Sequence, residues 1–387
     1  MNRDHRGRQR QQIRAYGKIA GIASGVAGLM ATAAVAIAGA AGPASAAPTA
    51  TAAPGLTAVT AVSCATAARC WAGATDAKGA VIIATANGGA SWHVQYATAK
   101  LSYMVAVDCA STERCVALGE KTGSLAPAFL ATTNGGTAWS SHPAPKSLAL
   151  PEALSCANGS DCLAVGLAGD RLHAAVARTT NGGRTWTSDA IPKLETAMSS
   201  SFGVSCPSSA HCLVTGAGTL TTANDGKTWT RHPNPGQAPL GPVTCPSVKD
   251  CYAAFNVTSA VPSNTAAFLY RSTNGGVSWR RVLAQPRHVV ALTGISCPLT
   301  SACVSAGFGY TPRKNGNDTL YGLSLRTSTS GSHWTQTTVA KVQGLYAVSC
   351  VAKTRECVAG GYAGNRAVVL RSANDGATWT SAPLPRA

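Results

Sequence analysis

From about residue 57 onward the chain alternates short apolar runs with short polar breaks, and the breaks recur in a fixed order. Residues 150–191 show the pattern plainly. PEALSC runs to Cys156, the polar turn ANGSD leads to Cys162 and LAVGL, AGDR intervenes before LHAAVARTT, and NGG turns the chain into RTWTSDA. Four apolar runs of this length, each bounded by turn residues, read as four β-strands. Asn-Gly between apolar runs is a strong hairpin signal, because both central positions of the tight turn require positive φ. No helical periodicity of useful length is found beyond the N-terminal segment.

The same unit is written seven times. Its turns are TANGGASW (Thr85–Trp92), TTNGGTAW (Thr132–Trp139), TTNGGRTW (Thr179–Trp186), TANDGKTW (Thr222–Trp229), STNGGVSW (Ser272–Trp279), TSTSGSHW (Thr327–Trp334) and SANDGATW (Ser372–Trp379). Successive Trp residues are 47, 47, 43, 50, 55 and 45 positions apart. A four-stranded meander of this size has two faces to cover, and stacking copies around an axis covers both. The expectation is an all-β fold, a seven-bladed β-propeller of four-stranded antiparallel blades near residues 57–97, 101–143, 150–191, 200–232, 239–283, 291–338 and 344–384. Six blades plus one deviant unit is the alternative. In each unit the first strand ends at a Cys, the second starts at a Cys, the third ends at the Asn-Gly turn and the fourth contains the Trp. No spare strand is left to complete the last blade, so closure rests on the disulfides and on contact between the first and seventh blades.

Fourteen Cys form seven close pairs: Cys64/Cys70, Cys109/Cys115, Cys156/Cys162, Cys206/Cys212, Cys245/Cys251, Cys297/Cys303 and Cys350/Cys357. Each pair flanks the first hairpin of its unit, where opposed side chains lie close enough to bridge. Zinc-ligand pairs are usually more closely spaced, and only His211 neighbours any of these Cys, so structural disulfides are expected, with no metal and no cofactor.

Residues 3–18 carry Arg3, Arg6, Arg8, Arg10, Arg14 and Lys18 against Asp4; an uncharged Ala/Gly/Ile/Val run follows to about Gly42, and then Ala44-Ser45-Ala46. This reads as a secretory signal over residues 1–46 with cleavage after Ala46, followed by a Pro/Ala-rich linker at 47–56. An uncleaved membrane anchor is the alternative, since the apolar run is long enough to span a bilayer. The full chain has a formal charge of +17, and the processed chain keeps +12. Such a surface attracts polyanions at long range. Lys and Arg form no runs, so nucleic acid is not an expected partner. The expected setting is extracellular, without stable membrane insertion after cleavage, and the partners expected there are an envelope glycan, an anionic polymer or a protein.

The turn motif resembles the Asp-box, or bacterial neuraminidase repeat, S/T-x-D-x-G-x-T/S-W. Gly89, Gly136, Gly183, Gly226, Gly276, Gly331 and Gly376 hold its Gly position, while the Asp position is taken by Asn87, Asn134, Asn181, Asn224, Asn274, Thr329 and Asn374. The run T-x-N-G-G-x-T-W, whole in the third unit, is also similar to the propeller family of photosystem II assembly factors and their secreted bacterial relatives. The resemblance spans nearly all of the processed chain. It implies a sialidase-like propeller in which the repeated motifs are structural and lie on the face opposite the active centre. Function then falls to the loops joining the second and third strands, and the fourth strand to the next unit.

A sialidase would need three Arg, a Tyr activated by a Glu, and an acidic Asp; the F/Y-R-I-P segment that announces the first Arg is missing. Other glycosidases need two carboxylates flanking one bond. Glu113, Asp161, Asp250 and Glu356 fall in Cys-loops, Asp225 and Asp375 in turn motifs, and Asp108 beside Cys109. The remainder are Asp76, Glu120, Glu152, Asp170, Asp189, Glu195 and Asp318, of which Asp76, Glu120 and Asp170 recur at one edge of the first three units. The seven His after the signal are isolated, and G-x-S-x-G is absent. The favoured reading is a non-enzymatic binding or scaffold module, with a sialidase-like glycoside hydrolase as the alternative. The candidate ligand residues lie in the long sixth-unit segment Phe308–Gly322, which gathers Tyr310, Arg313, Lys314, Asp318 and Tyr321, with Arg287 before it. Rings and cations together suit a sugar or an anionic polymer.

Overall fold

The computed structural model describes residues 55–195, 202–257, 265–284, 286, 288–312 and 318–385. The proposed signal and linker through residue 54, and Arg287, Arg313 and Lys314, lie outside them. The described residues form 28 strands, β1–β28 in chain order, arranged as seven four-stranded antiparallel sheets, each made of four consecutive strands. This is the seven-bladed propeller. In the first blade, β1 (Leu56–Cys64), β2 (Cys70–Asp76), β3 (Ala80–Thr85) and β4 (His93–Thr98) pair in sequence order.

The first strands of the blades are β1, β5 (Leu101–Cys109), β9 (Leu150–Cys156), β13 (Gly203–Ser205), β17 (Val243–Thr244), β21 (Val289–Ser296) and β25 (Gly344–Cys350). Each packs against the first strand of the next blade, and β25 packs against β1, so they form the inner wall around the axis. The AVIIAT run of β3 is buried at every position because neighbouring blades cover both faces, whereas β4 at the outside is largely exposed. A continuous apolar run is what such a doubly covered strand requires.

The Trp residues differ in place from the sequence pattern. Each fourth strand begins immediately after its Trp, at His93, Ser140, Thr187, Thr230, Arg280, Thr335 and Thr380. The indole instead packs into the layer between its own blade and the preceding one. Trp186 joins Phe129, Val116 and Leu118 of the second blade, with ring centroids of Phe129 and Trp186 3.8 Å apart, and Trp279 donates to Thr219 Oγ1 of the blade before it at 3.1 Å.

All seven Cys pairs are disulfides. Cys64 and Cys70 sit opposite each other in register, with Cα atoms 4.0 Å apart, and Cys70 in turn faces Thr85. The disulfides and the Asn-Gly turns therefore lie at the same end of each blade. Each bridge is internal to one blade, so the disulfides do not close the ring. Closure is made by non-covalent contact: Leu56, Val59 and Val62 of the first blade form one buried cluster with Val358 and Val369 of the seventh, and Trp92 belongs to it.

In the third unit's turn, Thr179 Oγ1 accepts from the Gly183 N–H at 3.0 Å and donates to Asn181 Oδ1 at 2.9 Å, which accepts the Thr185 N–H at 3.0 Å. Asn181 Nδ2 donates to Thr185 Oγ1 at 2.7 Å, a bond an Asp carboxylate cannot donate. Gly182 and Gly183 have φ of +69° and +86°, which a side chain rarely adopts. In the sixth unit Thr329 Oγ1 takes the acceptor role, receiving the His333 N–H at 3.0 Å.

Candidate functional site

At the end of the blades away from the disulfides, the inner strands share a local irregularity. The register skips one residue at Thr60, Val105, Glu152, Thr293 and Tyr346, each four positions before the first Cys of its unit. A bulge of this kind re-aims a side chain out of the sheet. Three of these side chains reach the backbone of the next blade. Thr60 Oγ1 donates to the Met104 carbonyl at 2.5 Å, Thr293 Oγ1 to the Leu345 carbonyl at 2.7 Å, and Glu152 Oε2 accepts the Phe202 N–H at 2.6 Å.

A second position, five residues after the second Cys, supplies Glu120 on β6 (Cys115–Lys121), Phe308 on β22 (Cys303–Thr311) and Tyr362 on β26 (Cys357–Ala363). Tyr103 faces Glu120 in register. Tyr346 and Tyr362 stack with centroids 5.3 Å apart at 22°, and Phe308 stands edge-on to Tyr346 at 5.3 Å and lies 6.1 Å from Tyr362. These five side chains and Glu152 are partly exposed.

These residues converge on the axis. Tyr346 and Tyr103 belong to the seventh and second blades, which are not neighbours, yet the Tyr103 hydroxyl helps to raise the pKa of Tyr346. Only side chains facing the central opening meet in this way. Burial pushes the Glu120 carboxyl up to about 7. Burial also pushes Glu152 up to about 7, the Phe202 N–H offsetting part of it and the charge of Glu120 adding to it. Tyr103 rises to about 12 through burial and then Glu120, and Tyr346 is raised by burial, Tyr362 and Tyr103 in that order. The mouth of the channel thus offers aromatic faces beside two carboxyls that change protonation near neutral pH.

The sequence-derived candidates are placed differently. The segment Phe308–Gly322, read as a long loop, is largely a hairpin, because β22 continues to Thr311 and β23 (Thr319–Thr327) starts soon after. Tyr310 pairs with Leu320 in this hairpin and is only 8% exposed, its ring edge-on to His288 at 5.1 Å. Tyr321 is partly buried over Gly309, whose missing Cβ leaves room for the ring. Asp318 sits just before β23. Of the three acids that recur at one edge, only Glu120 reaches the mouth. Asp76 Oδ1 accepts the N–H groups of Lys78 and Gly79, both at 2.7 Å, and Asp170 caps its own turn, accepting from Leu172 N–H at 2.9 Å and lying 2.6 Å from His173 Nδ1. Sequence reasoning kept Glu152 among the remaining acids and passed over Tyr103, Phe308, Tyr346 and Tyr362. Aligning the units on their Cys pairs puts Glu120, Phe308 and Tyr362 into one column and Glu152 and Tyr346 into another, with Tyr103 outside both.

No family model and no curated protein matches the chain. Solved structures do. The chain is similar to YCF48 bound to D1 peptide, at 16% identity and a TM-score of 0.57, covering 84% of this chain and 94% of that one. It is similar to YCF48 from Cyanidioschyzon merolae at 13% identity and a TM-score of 0.57, covering 84% and 98%. The GH74 xyloglucanase from Xanthomonas campestris gives 15% identity and a TM-score of 0.60, covering 85% of this chain and 54% of the enzyme. At these identities the likeness is one of fold.

Proposed function

We propose that this chain is an exported, non-enzymatic binding propeller of the cell envelope, which holds a segment of a protein partner over the mouth of its axial channel. The observation that carries this reading is the convergence of Phe308, Tyr346, Tyr362, Tyr103, Glu120 and Glu152 on the face free of disulfides. Partly exposed rings with a few polar groups among them are the composition of a peptide-binding hot spot. The solved complex of YCF48 with D1 peptide is consistent with a peptide ligand on this architecture. Export is supported by the basic and apolar N-terminal sequence and by seven disulfides, which persist in oxidising compartments. Among the described residues no helix is long and apolar enough to cross a membrane. Arg287, Arg313 and Lys314 are proposed from the sequence to add charge contacts to an anionic part of the ligand, with Asp318 and Tyr321 nearby in sequence and Tyr310 anchoring the hairpin beneath.

The test is retention of the processed chain, starting at Ala47, on an immobilised peptide library, beside teichoic-acid-type and acidic glycan columns. Retention on peptides that is lost in Tyr346→Ala/Tyr362→Ala supports the mouth. Retention that survives this change but disappears in Arg313→Ala/Lys314→Ala moves the site to the rim, and retention only on glycans overturns a peptide ligand.

One observation favours a glycoside hydrolase as the second reading. The charge of Glu120 acts on Glu152, and burial raises both to about 7, which suits an acid and base near neutral pH. A fluorogenic glycoside panel decides it: turnover abolished by both Glu120→Gln and Glu152→Gln establishes the enzyme.

A further inference from the structure

The acids of the mouth are set in an unusual balance. Glu120 feels burial, and Glu152 feels burial, the Phe202 N–H and Glu120. The other titratable groups that face them are phenols: Tyr103 opposite Glu120, and Tyr346 and Tyr362 across the opening. Among the described residues, no Lys or Arg is among the groups acting on any of these five side chains. Elsewhere among the described residues the chain does pair acids with Arg, as in Arg178–Asp189 at 3.2 Å, Arg271–Asp250 at 2.8 Å and Arg355–Asp375 at 2.9 Å. Among the described residues the mouth therefore holds two desolvated carboxyls with no cation acting on them, beside three rings whose centroids lie 5.3, 5.3 and 6.1 Å apart. Ring faces are negative and attract cations, most strongly where water is thinned out.

We infer that this mouth is a receptor for an alkylammonium group, the end of a lysyl side chain on the partner segment, held between the rings of Phe308, Tyr346 and Tyr362 and the carboxylates of Glu120 and Glu152. The inference rests on the peptide-binding reading above and specifies which side chain enters the opening. It also separates two charges of the molecule: the basic surface acts at long range, whereas the acids act only on a group that has already entered. The ammonium needs ionised glutamates, so its binding draws their pKa down and releases protons. Affinity accordingly rises with pH across the range around 7.

The experiment titrates the processed wild-type chain with three small probes, followed by calorimetry and by the tyrosine NMR signals: N-acetyl-lysine methylamide, its Nε-acetylated form, and N-acetyl-norleucine methylamide, which has an apolar side chain without the amine. The lysyl probe is expected to bind at least about tenfold more tightly than either neutral probe, to weaken about tenfold from pH 8 to pH 6, and to lose about tenfold in Glu120→Gln. Equal binding of the lysyl and norleucine probes, or binding that does not change with pH, overturns the inference, as does failure of the lysyl probe to bind. The wild-type probe comparison decides the matter even if a variant folds poorly. Peptide retention that depends on Tyr346 and Tyr362 but is indifferent to lysine leaves the mouth as the binding site and removes only the ammonium.

Discussion

The backbone N–H of Cys64 donates to Ser349 Oγ at 3.0 Å, and through this bond the last blade grips the first. The same clasp repeats around the ring. At five further junctions the residue before the first Cys accepts the N–H of the first Cys in the next blade: Ser63 from Cys109, Asp108 from Cys156, Ser155 from Cys206, Ser205 from Cys245, and Ser296 from Cys350. Closure is thus one more copy of an ordinary inter-blade junction, which explains why no strand has to be exchanged between the chain ends. Ser349→Ala removes the acceptor and leaves a partly buried N–H unsatisfied, at a cost of about 1–2 kcal/mol. A melt lowered by a few degrees is expected, together with faster hydrogen exchange in β1 and β25 than in the other inner strands. Exchange in β1 and β25 that stays at the level of the other inner strands in this variant would show that the bond does not hold the closing junction.

Asp108 is the odd member of that series. Burial drives its carboxyl up to about 6, although the hydrogen bonds from Cys156 N–H, Ser63 and Cys109 N–H oppose the rise. A folded-state pKa above the unfolded value means that the native state prefers the protonated acid. Its contribution is most favourable at low pH and is lost as pH climbs from about 4 to about 6. Asp108→Ser, which restores the residue used at the other junctions named above, should therefore raise stability by on the order of 1 kcal/mol at pH 8 and by clearly less at pH 4. Parallel melts of the variant and wild type at the two pH values check this. A larger gain at pH 4 would reverse the sign of the argument.

The disulfides staple blades of unequal strength. In the fourth blade β13, β14 (Cys212–Thr215), β15 (Thr219–Thr222) and β16 (Thr230–His232) have only 3, 4, 4 and 3 residues, whereas β1 and β2 have 9 and 7. The bridges Cys206–Cys212 and Cys64–Cys70 close loops of the same length, so the chain-entropy gain is the same for both, about 2 kcal/mol. Removing each pair by Cys→Ala substitution should nevertheless open the fourth blade more readily, because fewer ladder bonds remain there. Limited proteolysis should cut the Cys206→Ala/Cys212→Ala variant within residues 202–232 before the other variant is cut in its first blade.

The parts of the molecule that were legible in the sequence are those fixed by local constraint. The turns demand positive φ at two successive positions, which pairs such as Gly182-Gly183 fill and the Asn before them does not, and a Cys pair astride a hairpin must meet in register, so blade number, strand order and bridges all followed. The mouth was less legible, because two of its six side chains depend on a bulge. One extra residue in the inner strand reverses which face the next side chain occupies, and Glu152 and Tyr346 reach the mouth from bulge positions. Tyr310 shows the opposite case. Its neighbours Pro312, Arg313 and Asn315 read as loop, but pairing with Leu320 carries the ring into the packed hairpin. Asp76 and Asp170 recurred with Glu120 in position but were turn formers, a distinction made by backbone N–H groups that no side-chain pattern records.

Phe129 and Trp186 test the layer between the second and third blades. Their rings stack at 3.8 Å, Phe129 is fully buried, and the indole N–H donates to the Gly183 carbonyl at 3.0 Å. Trp186→Ala deletes the stack and leaves a cavity lined by Val116 and Leu118, at a cost of about 3–5 kcal/mol. Trp139 lies between the first and second blades and is only partly buried, so Trp139→Ala should cost clearly less. Denaturant midpoints of the two variants measure the difference, and equal losses would place the stability outside this stack.

Neutralising one acid of the mouth should be felt by the other. The charge of Glu120 raises Glu152 and also Tyr103. In Glu120→Gln that charge is gone, so the Glu152 carboxyl should titrate below its wild-type midpoint near 7, and the Tyr103 phenol below its midpoint near 12. Burial still holds both above the ordinary carboxylate and phenol values. Carbon-detected NMR titration of the side-chain carboxyl and ring carbons reads both midpoints in one sample. The effect should be absent in Asp170→Asn, because Asp170 is bound in its own turn by Leu172 and His173. A Glu152 midpoint that stays in place when Glu120 is neutralised would mean that the two carboxyls do not share one opening, and the binding site built on their convergence would fall with it.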